Sequence, residues 1–322
     1  MAKRGNPSVA VGVDLGGRSA KLALVRDDGA ILRRDQRPID PAMPAARIGD
    51  LLADGIGGMM AAARKRRLAP GGVGVVMPGY LDEKKRRVLL VANLPSLNGT
   101  AFPRDLASRL PLRVRFDVDC NAAALGEYRF GAGQGVRRLL VATLGTGIGG
   151  GVLLDGQVLR IRNHVAGSLG HVVVNACGPR CGCGARGCVE VYASARGFER
   201  AANEAADRQP RGLLAALRKK HGTLSGPELR TALARGDAAA HRVVDRCARW
   251  LAAGIATWCV IYMPERVLLG GGVAAIGAPL FDAIRRSFRE IAQPFVIERT
   301  SIEPAALGND AGVIGAAALW FA

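Results

Sequence analysis

Aromatic side chains make up only 5% of this 322-residue chain, histidines number four, and 27 acidic residues face 45 Lys and Arg. Long apolar runs are also missing. No stretch reaches the about eighteen apolar residues that a membrane-spanning helix needs, and the longest candidate, Leu251 to Met263, is stopped by Pro264, Glu265 and Arg266. No membrane partner is expected. The basic start, MAKRGNPSVAVGVD, passes into a strand-like segment with neither a signal-type apolar region nor a small-residue cleavage site, so a cytoplasmic location is expected. No internal repeat is visible.

Hydrophobic residues make up 49% of the chain, and 322 residues suffice for two domains with a large core. The net charge of +18 is spread along the chain, with short clusters at ARKRR (Ala63 to Arg67) and EKKRR (Glu83 to Arg87). Such a balance describes either a solvated basic surface or an affinity for ATP, polyphosphate or nucleic-acid phosphates. With so few aromatics interleaved, nucleic acid is the least expected of these. Seven cysteines, several in one stretch, suit a reducing compartment where thiolates are available to metal.

That stretch, GSLGHVVVNACGPRCGCGARGCVE from Gly167 to Glu190, organises the rest. His171 stands ten residues before Cys181, and Cys183 and Cys188 follow with Gly182, Gly184 and Gly187 between. Zinc takes four nitrogen or sulfur ligands in a tetrahedron, and thiolates separated by glycines can fold around one ion at little steric cost. Two cysteines one residue apart are poorly placed to form a disulfide with each other. A closed structural zinc site of His171, Cys181, Cys183 and Cys188 is therefore preferred over free or bridged thiols, with Cys177 a spare.

Elsewhere the pattern alternates strands and helices, which indicates α/β architecture. Val9 to Val13 and Leu22 to Val25 read as strands around the turn Asp14-Leu15-Gly16-Gly17, whose backbone can approach phosphate closely while Asp14 holds magnesium through water. Ile48 to Arg67 reads as an amphipathic helix, Gly72 to Met77 as a buried strand ending in Pro78-Gly79, and Leu112 to Phe116 as a strand. Asp119 then lies at a strand's carboxyl end just before a helix, the position of a general base in an open α/β sheet or of an ordinary helix cap. Leu139 to Leu144 feeds Gly145-Thr146-Gly147-Ile148-Gly149-Gly150-Gly151, where five glycines in seven positions permit close wrapping around a polyphosphate. His164 reads as a loop histidine. Val191 to Lys219 and Gly226 to Thr257 read as helical, Arg266 to Leu269 as a strand running into Gly270-Gly271-Gly272, and Ala278 to Ala292 as a helix with Pro279 in its first turn. Val296 to Ile302 reads as a strand and Leu307 to Leu319 as a final helix.

The knuckle, together with DLGG, LGTGIGGG, VANLPSLNG, DVDCNAAALGE and LGNDAGVIGAAAL, resembles the ROK family (repressor, open reading frame, kinase) over nearly the whole chain. That resemblance implies two actin-like ATPase domains with an interdomain cleft, the first of residues 1–116 completed by 309–322, the second of 117–308 with the knuckle. It implies an ATP-dependent sugar kinase in which Asp119 is the general base. Asp14, Gly16, Gly17, Lys21, Gly145, Thr146, Gly147, Gly271 and Gly272 would hold ATP with Mg2+. Gly79, Asn93, the positions of Val118 and Ser168, His171 and Glu190 would face the sugar, while His171 and the three cysteines hold a structural Zn2+. A homodimer is implied as well.

Three residues depart from the family pattern. Arg18 replaces a Thr or Ser in the first phosphate turn. Val118 stands where the family has a sugar-binding Asn, and Ser168 where it has a sugar-binding Glu. Each lost hydrogen bond to a sugar held in the same pose costs about 0.5 to 3 kcal/mol. The expectation is a sugar kinase other than a typical glucokinase, with a larger, less acidic and more apolar pocket for a modified or less hydroxylated acceptor. The alternatives are a decayed, ligand-sensing relative and a kinase that takes polyphosphate as donor. The family's repressors carry a DNA-binding segment ahead of the first phosphate turn; here only thirteen residues precede Asp14, so a repressor is not expected.

Overall fold

The computed structural model describes residues 9–161 and 168–321; the basic start up to Ser8, His164 and Gly167 lie outside the described residues. In chain order the elements are β1 (Val9–Leu15), β2 (Ser19–Arg26), β3 (Ile31–Pro38), α1 (Ala45–Lys65), β4 (Pro70–Met77), β5 (Tyr80–Leu81), β6 (Val88–Leu90), α2 (Phe102–Ser108), β7 (Val114–Val118) and α3 (Asp119–Phe130). They continue with β8 (Arg138–Leu144), β9 (Ile148–Leu154), β10 (Gln157–Val158), α4 (Val189–Ala193), α5 (Ala195–Arg208), α6 (Leu213–His221), α7 (Gly226–Ala234) and α8 (Ala238–Tyr262). The last are β11 (Arg266–Gly270), α9 (Ala278–Ile291), α10 (Pro294–Ile297), β12 (Ser301–Pro304) and α11 (Ala311–Ala318).

Among the described residues there are two five-stranded sheets, ordered β3-β2-β1-β4-β7 and β10-β9-β8-β11-β12, and the small pair β5-β6. β1 and β2 form the expected antiparallel hairpin, while β4 and β7 join in parallel. By contacts the chain forms two compact units, Met1–Gly135 with Gly151–Gly167 and Leu307–Ala322, and Val136–Gly150 with Ser168–Ala306. The first unit thus runs on through α3, past the boundary expected after Phe116, because α3 packs directly on α11. Gly126 and Gly315 make that packing possible: a Cβ on Gly315 would lie 1.8 Å from the Ala122 carbonyl oxygen.

In the first unit, strand alternation sorts the side chains into two layers. Val9, Val11 and Val13 join Ile48, Leu52 and Ile56 of α1 in the main core. The opposite parity, Ala10 with Val313, Ile314 and Ala317, makes a second layer against α11. Gly12 and Gly74 belong to that layer, and a Cβ on either would fall 2.0 or 1.8 Å from a carbonyl oxygen of α11. The helix therefore rests on bare backbone. In the second unit α8 and α9 are buried by Leu251, Ile255, Trp258, Leu280 and Ile284, and Trp258 Nε1 donates to the Leu169 carbonyl at 3.2 Å.

Three readings need correction. Val296 to Ile302 is not one strand: Pro294 starts the short helix α10, because its fixed φ suits a first helical turn, and β12 begins only at Ser301. The final helix starts at Ala311, after a 3-10 turn over Gly308–Asp310. β3, an Arg-rich edge strand, was not anticipated; its mixed burial supplies no clean apolar alternation.

Candidate functional site

In the first unit, Asp14 shares the parity of Ala10 and Gly12, so its carboxyl points to the α11 layer. It lies against Gly312, where a Cβ would come within 2.5 Å of Asp14 Oδ2. Gly312 was not singled out by sequence reasoning, although the LGNDAGVIGAAAL run contains it. Lys21 stands opposite Asp14 in the hairpin register, and its Nζ donates to the Asn309 carbonyl at 2.9 Å. Burial raises the Asp14 carboxyl, partly offset by the Lys21 charge. The turn between β1 and β2 closes through the Gly16 amide on the Ser19 carbonyl at 2.9 Å. Gly17 abuts Asn93, whose Cβ would stand 2.6 Å from one built on Gly17, so two predicted residues far apart in sequence meet here. Arg18 is exposed beside them.

β7 ends at Val118, which pairs with Met77 at the end of β4 and is only 3% exposed. Gly79 follows two residues after Met77 at φ +96, in contact with the Leu90 carbonyl, a conformation and a closeness that exclude other residues. Asp119 opens α3. Its Oδ1 accepts from the Cys120 amide at 2.7 Å, so the residue does begin the helix, yet the carboxyl is also pushed up to about 6 by burial and by the nearby charge of Asp14. A carboxyl so placed titrates close to neutrality, where a base exchanges protons most readily. Just before it, Asp117 is fully buried and binds the Val118 amide at 2.8 Å, Asn121 Nδ2 at 3.0 Å, Lys85 Nζ at 3.1 Å and the Arg160 guanidinium. Burial alone would raise Asp117, but Lys85 and Arg160 together hold it below the usual carboxylate range. Sequence reasoning missed this charged cluster; the acid at 117 was visible, its two partners 32 and 43 residues away were not.

In the second unit the donor atoms of His171, Cys181, Cys183 and Cys188 all lie within 4.8 Å of one another. Cys181 Sγ is 3.6 Å from His171 Nδ1, and Cys183 Sγ is 3.7 Å from Cys188 Sγ. A tetrahedron with zinc–sulfur bonds of about 2.3 Å has edges of about 3.8 Å, so the donors present fit zinc. Burial, reinforced by the neighbouring thiols, pushes Cys188 up to about 12, which leaves the closely packed set in want of a cation to ionise it. Gly184 and Gly187 take positive φ to bend the chain, and Gly187 packs onto the Asn175 carbonyl. Cys177 is exposed and outside the cluster. Ser168 is exposed, its carbonyl accepting from the His171 amide at 2.8 Å.

Glu190, in the first turn of α4, reaches back to the glycine turn between β8 and β9. Its Oε2 accepts from the Ile148 amide at 2.8 Å, and Gly147 makes room for it. His171 Nδ1 is 3.9 Å from Glu190 Oε1. The Gly145 amide donates to the Gly147 carbonyl at 2.9 Å, and Thr146 is exposed at the tip. Gly271, at φ +88, lies against the backbone of Leu144, which places the third glycine turn beside the second. At Gly272 a Cβ would meet nothing within 4 Å, so packing does not demand glycine there.

Known proteins resemble this chain along most of its length. The chain is 36% identical over 308 residues to a glucokinase of Halalkalibacterium halodurans, covering 95% of this chain and 92% of that one. It is 32% identical over 325 residues to an N-acetyl-D-glucosamine kinase of Escherichia coli, covering 96% and 98%. Its structure matches that of a ROK family glucokinase from Streptomyces griseus, solved with glucose and AMPPNP, at a TM-score of 0.82 and 34% identity over 97% of this chain and 99% of that one. The fold is accordingly α/β with two actin-like ATPase domains. The ROK family pattern itself matches residues 10–322, and the chain belongs to the ROK family.

Proposed function

We propose that this ROK-family sugar kinase transfers the γ-phosphoryl group of ATP to a hydroxyl of a sugar or sugar-like acceptor, with Asp119 as general base. The observation that carries the reading is the half-buried Asp119 carboxyl, raised to about 6 beside a second half-buried carboxyl, Asp14. Asp119 takes the proton of the acceptor hydroxyl as its oxygen bonds to phosphorus and the bond to the leaving ADP oxygen breaks. A magnesium ion, when bound, neutralises the phosphate charge, and Asp14 is the residue suited to hold it through water.

Gly16, Gly17, Lys21, Gly145, Thr146, Gly147, Gly271 and Gly272 bind the nucleotide in this reading, the glycines letting backbone approach phosphate closely and Thr146 adding a hydroxyl. Gly79, Asn93, His171 and Glu190 hold the acceptor, with Val118 and Ser168 bordering it. Zinc on His171, Cys181, Cys183 and Cys188 is structural: it stiffens the segment that presents His171 and Glu190 and leaves no coordination position open. Val118 and Ser168 favour an acceptor with fewer or modified hydroxyls over plain glucose. A polar family position filled by a valine 3% exposed offers no group to a sugar hydroxyl.

A retained and perturbed Asp119 favours turnover over a decayed, ligand-sensing role. The decisive experiment is a coupled assay of purified protein with ATP and magnesium against sugars, N-acetylated and deoxy sugars and polyols, run beside Asp119→Ala and with polyphosphate as a second donor. Turnover of no acceptor by either donor would overturn the reading.

A further inference from the structure

The first unit holds a cavity of about 740 Å3 that contains none of the residues assigned to nucleotide or acceptor. It lies along β7, on the side reached by Arg115 and Asp117, and is closed by the turn after β5, by α2, by the segment around β10 and by the end of α11. Seven of its lining residues are Lys or Arg, and Asp117 is its one carboxylate. A basic face that merely faces solvent spreads its charges apart. Here they converge.

Two carboxylates neutralise part of that charge, Asp105 at 3.2 Å from Arg104 and the buried Asp117. Asp117 spends one oxygen on Lys85 and Arg160 and the other on the Val118 amide and Asn121. Arg115 leans on the Trp320 ring at 4.3 Å and donates to the Leu319 carbonyl, and Arg129 Nη1 donates to the Phe321 carbonyl at 2.6 Å; neither contact carries negative charge. Arg129 Nε is buried without a hydrogen-bond partner. Lys85 is held at φ 52, a backbone region that non-glycine residues avoid, by its amide on the Asp82 carbonyl at 2.8 Å, while the Asp82 side chain accepts from the Arg86 and Arg87 amides. Strained backbone of this kind persists where the surroundings fix it, and it is concentrated at ligand sites.

We propose that this cavity is a second anion site, for a small compound carrying adjacent phosphate groups, gripped by Lys84, Lys85, Arg104, Arg129 and Arg160. Convergent cations with an unsatisfied buried donor suit multiply charged phosphate oxygens, and a cavity of this size takes a compound of two or three phosphate groups rather than a folded partner. The bound anion and Asp117 share Lys85 and Arg160, so occupancy bears on the Val118–Asn121 segment that Asp117 anchors. The assignment is independent of the role given to Asp119.

Equilibrium dialysis of the full chain with tripolyphosphate, in excess magnesium AMPPNP so that the glycine turns are occupied, tests it. One tripolyphosphate per chain is expected, weakened at least tenfold in Lys84→Glu/Arg104→Glu with an unchanged melting temperature. Both side chains are exposed, Arg104 by 69%, and outside the Asp117 cluster, and Arg104→Ala alone serves if the double variant melts early. A sugar bisphosphate run in parallel distinguishes a metabolite from inorganic polyphosphate, and binding of either one supports the site. No binding in the presence of AMPPNP, equal binding by the variants, or preference for an oligoglutamate peptide over both phosphate compounds would each overturn it.

Discussion

The Glu190 carboxylate accepts a 2.8 Å hydrogen bond from the Ile148 amide, and so ties the cysteine–histidine knuckle to the second glycine turn. Gly147 permits the approach, since any side chain there would strike Glu190 Oε2. Glu190→Ala leaves the amide without its partner and frees the turn; kcat/KM is expected to fall at least about tenfold, the cost of one charge-assisted bond of roughly 1.5 kcal/mol or more. Glu190→Gln keeps an acceptor for Ile148 and should lose less. Steady-state kinetics on both, with metal content unchanged, checks the point.

With Asp119 as the proposed base, the pH dependence follows from its carboxyl. Its carboxyl titrates at about 6 in the folded chain against an ordinary value near 3.8. As pH falls through about 6 the base is protonated, so kcat/KM is expected to decline on the acid side with an apparent pKa near that value. The stability effect has the opposite sense. The folded state keeps a proton that the unfolded state releases, so this group costs stability as pH rises from about 4 to 6, and the full cost, roughly 1–3 kcal/mol, is present above pH 6. Asp119→Asn should therefore abolish turnover while raising the melting temperature at pH 7 more than at pH 4. Calorimetry at the two values separates the outcomes, and a variant less stable at pH 7 would contradict the burial argument.

One equivalent of zinc per chain is expected by elemental analysis, lost in Cys181→Ser. Because three of the four donors are close-packed thiols, their assembly without a cation leaves Cys188 protonated. Removal by chelator is expected to lower the melting temperature on the order of 5 °C or more, and acidification to release the metal as thiolates take up protons. Cys177→Ser, outside the cluster, should retain the metal and serves as the control.

Sequence reading reached the parts of this molecule where local chemistry is uniform along the chain. The glycine turns, the cysteine spacing and the strand that ends just before Asp119 each occupy a few consecutive residues, so their pattern is legible without knowledge of the fold. What stayed hidden depends on partners distant in sequence. Asp117 gave no sign of Lys85 or Arg160, and Gly312 gave none of Asp14. β3 escaped because an edge strand buries too little to impose alternation, and Val296 was drawn into a strand by its β-branched neighbours although Pro294 fixes a helical turn.

The glycines separate into two kinds, with opposite expected effects. At Gly12, Gly74 and Gly315 a Cβ would lie within 2.0 Å of backbone that cannot move without shifting α11 or α3. Alanine at any of these should cost on the order of 3 kcal/mol or prevent folding. At Gly57 and Gly58, inside α1, a Cβ meets nothing within 4 Å. Alanine there should stabilise by about 0.5–1 kcal/mol each, since glycine in a helix interior loses backbone entropy without return. Chemical denaturation of the two sets gives the comparison directly.

Val118 offers the sharpest test of acceptor preference. The residue is buried at the end of β7 beside Met77, and asparagine in its place puts an amide where a valine now fills apolar space. Without a sugar to satisfy that amide, Val118→Asn should destabilise the free protein by about 1–3 kcal/mol. With glucose present the amide gains partners, so glucose should recover part of that loss and raise the melting temperature of the variant more than that of the parent chain. Combined with Ser168→Glu, the substitution is expected to raise kcat/KM for glucose at least about tenfold while lowering it for the acceptor that the native chain prefers. If glucose is already the best acceptor of the native chain and the double variant gains nothing, then Val118 and Ser168 do not set specificity, and the acceptor must be held in a different pose.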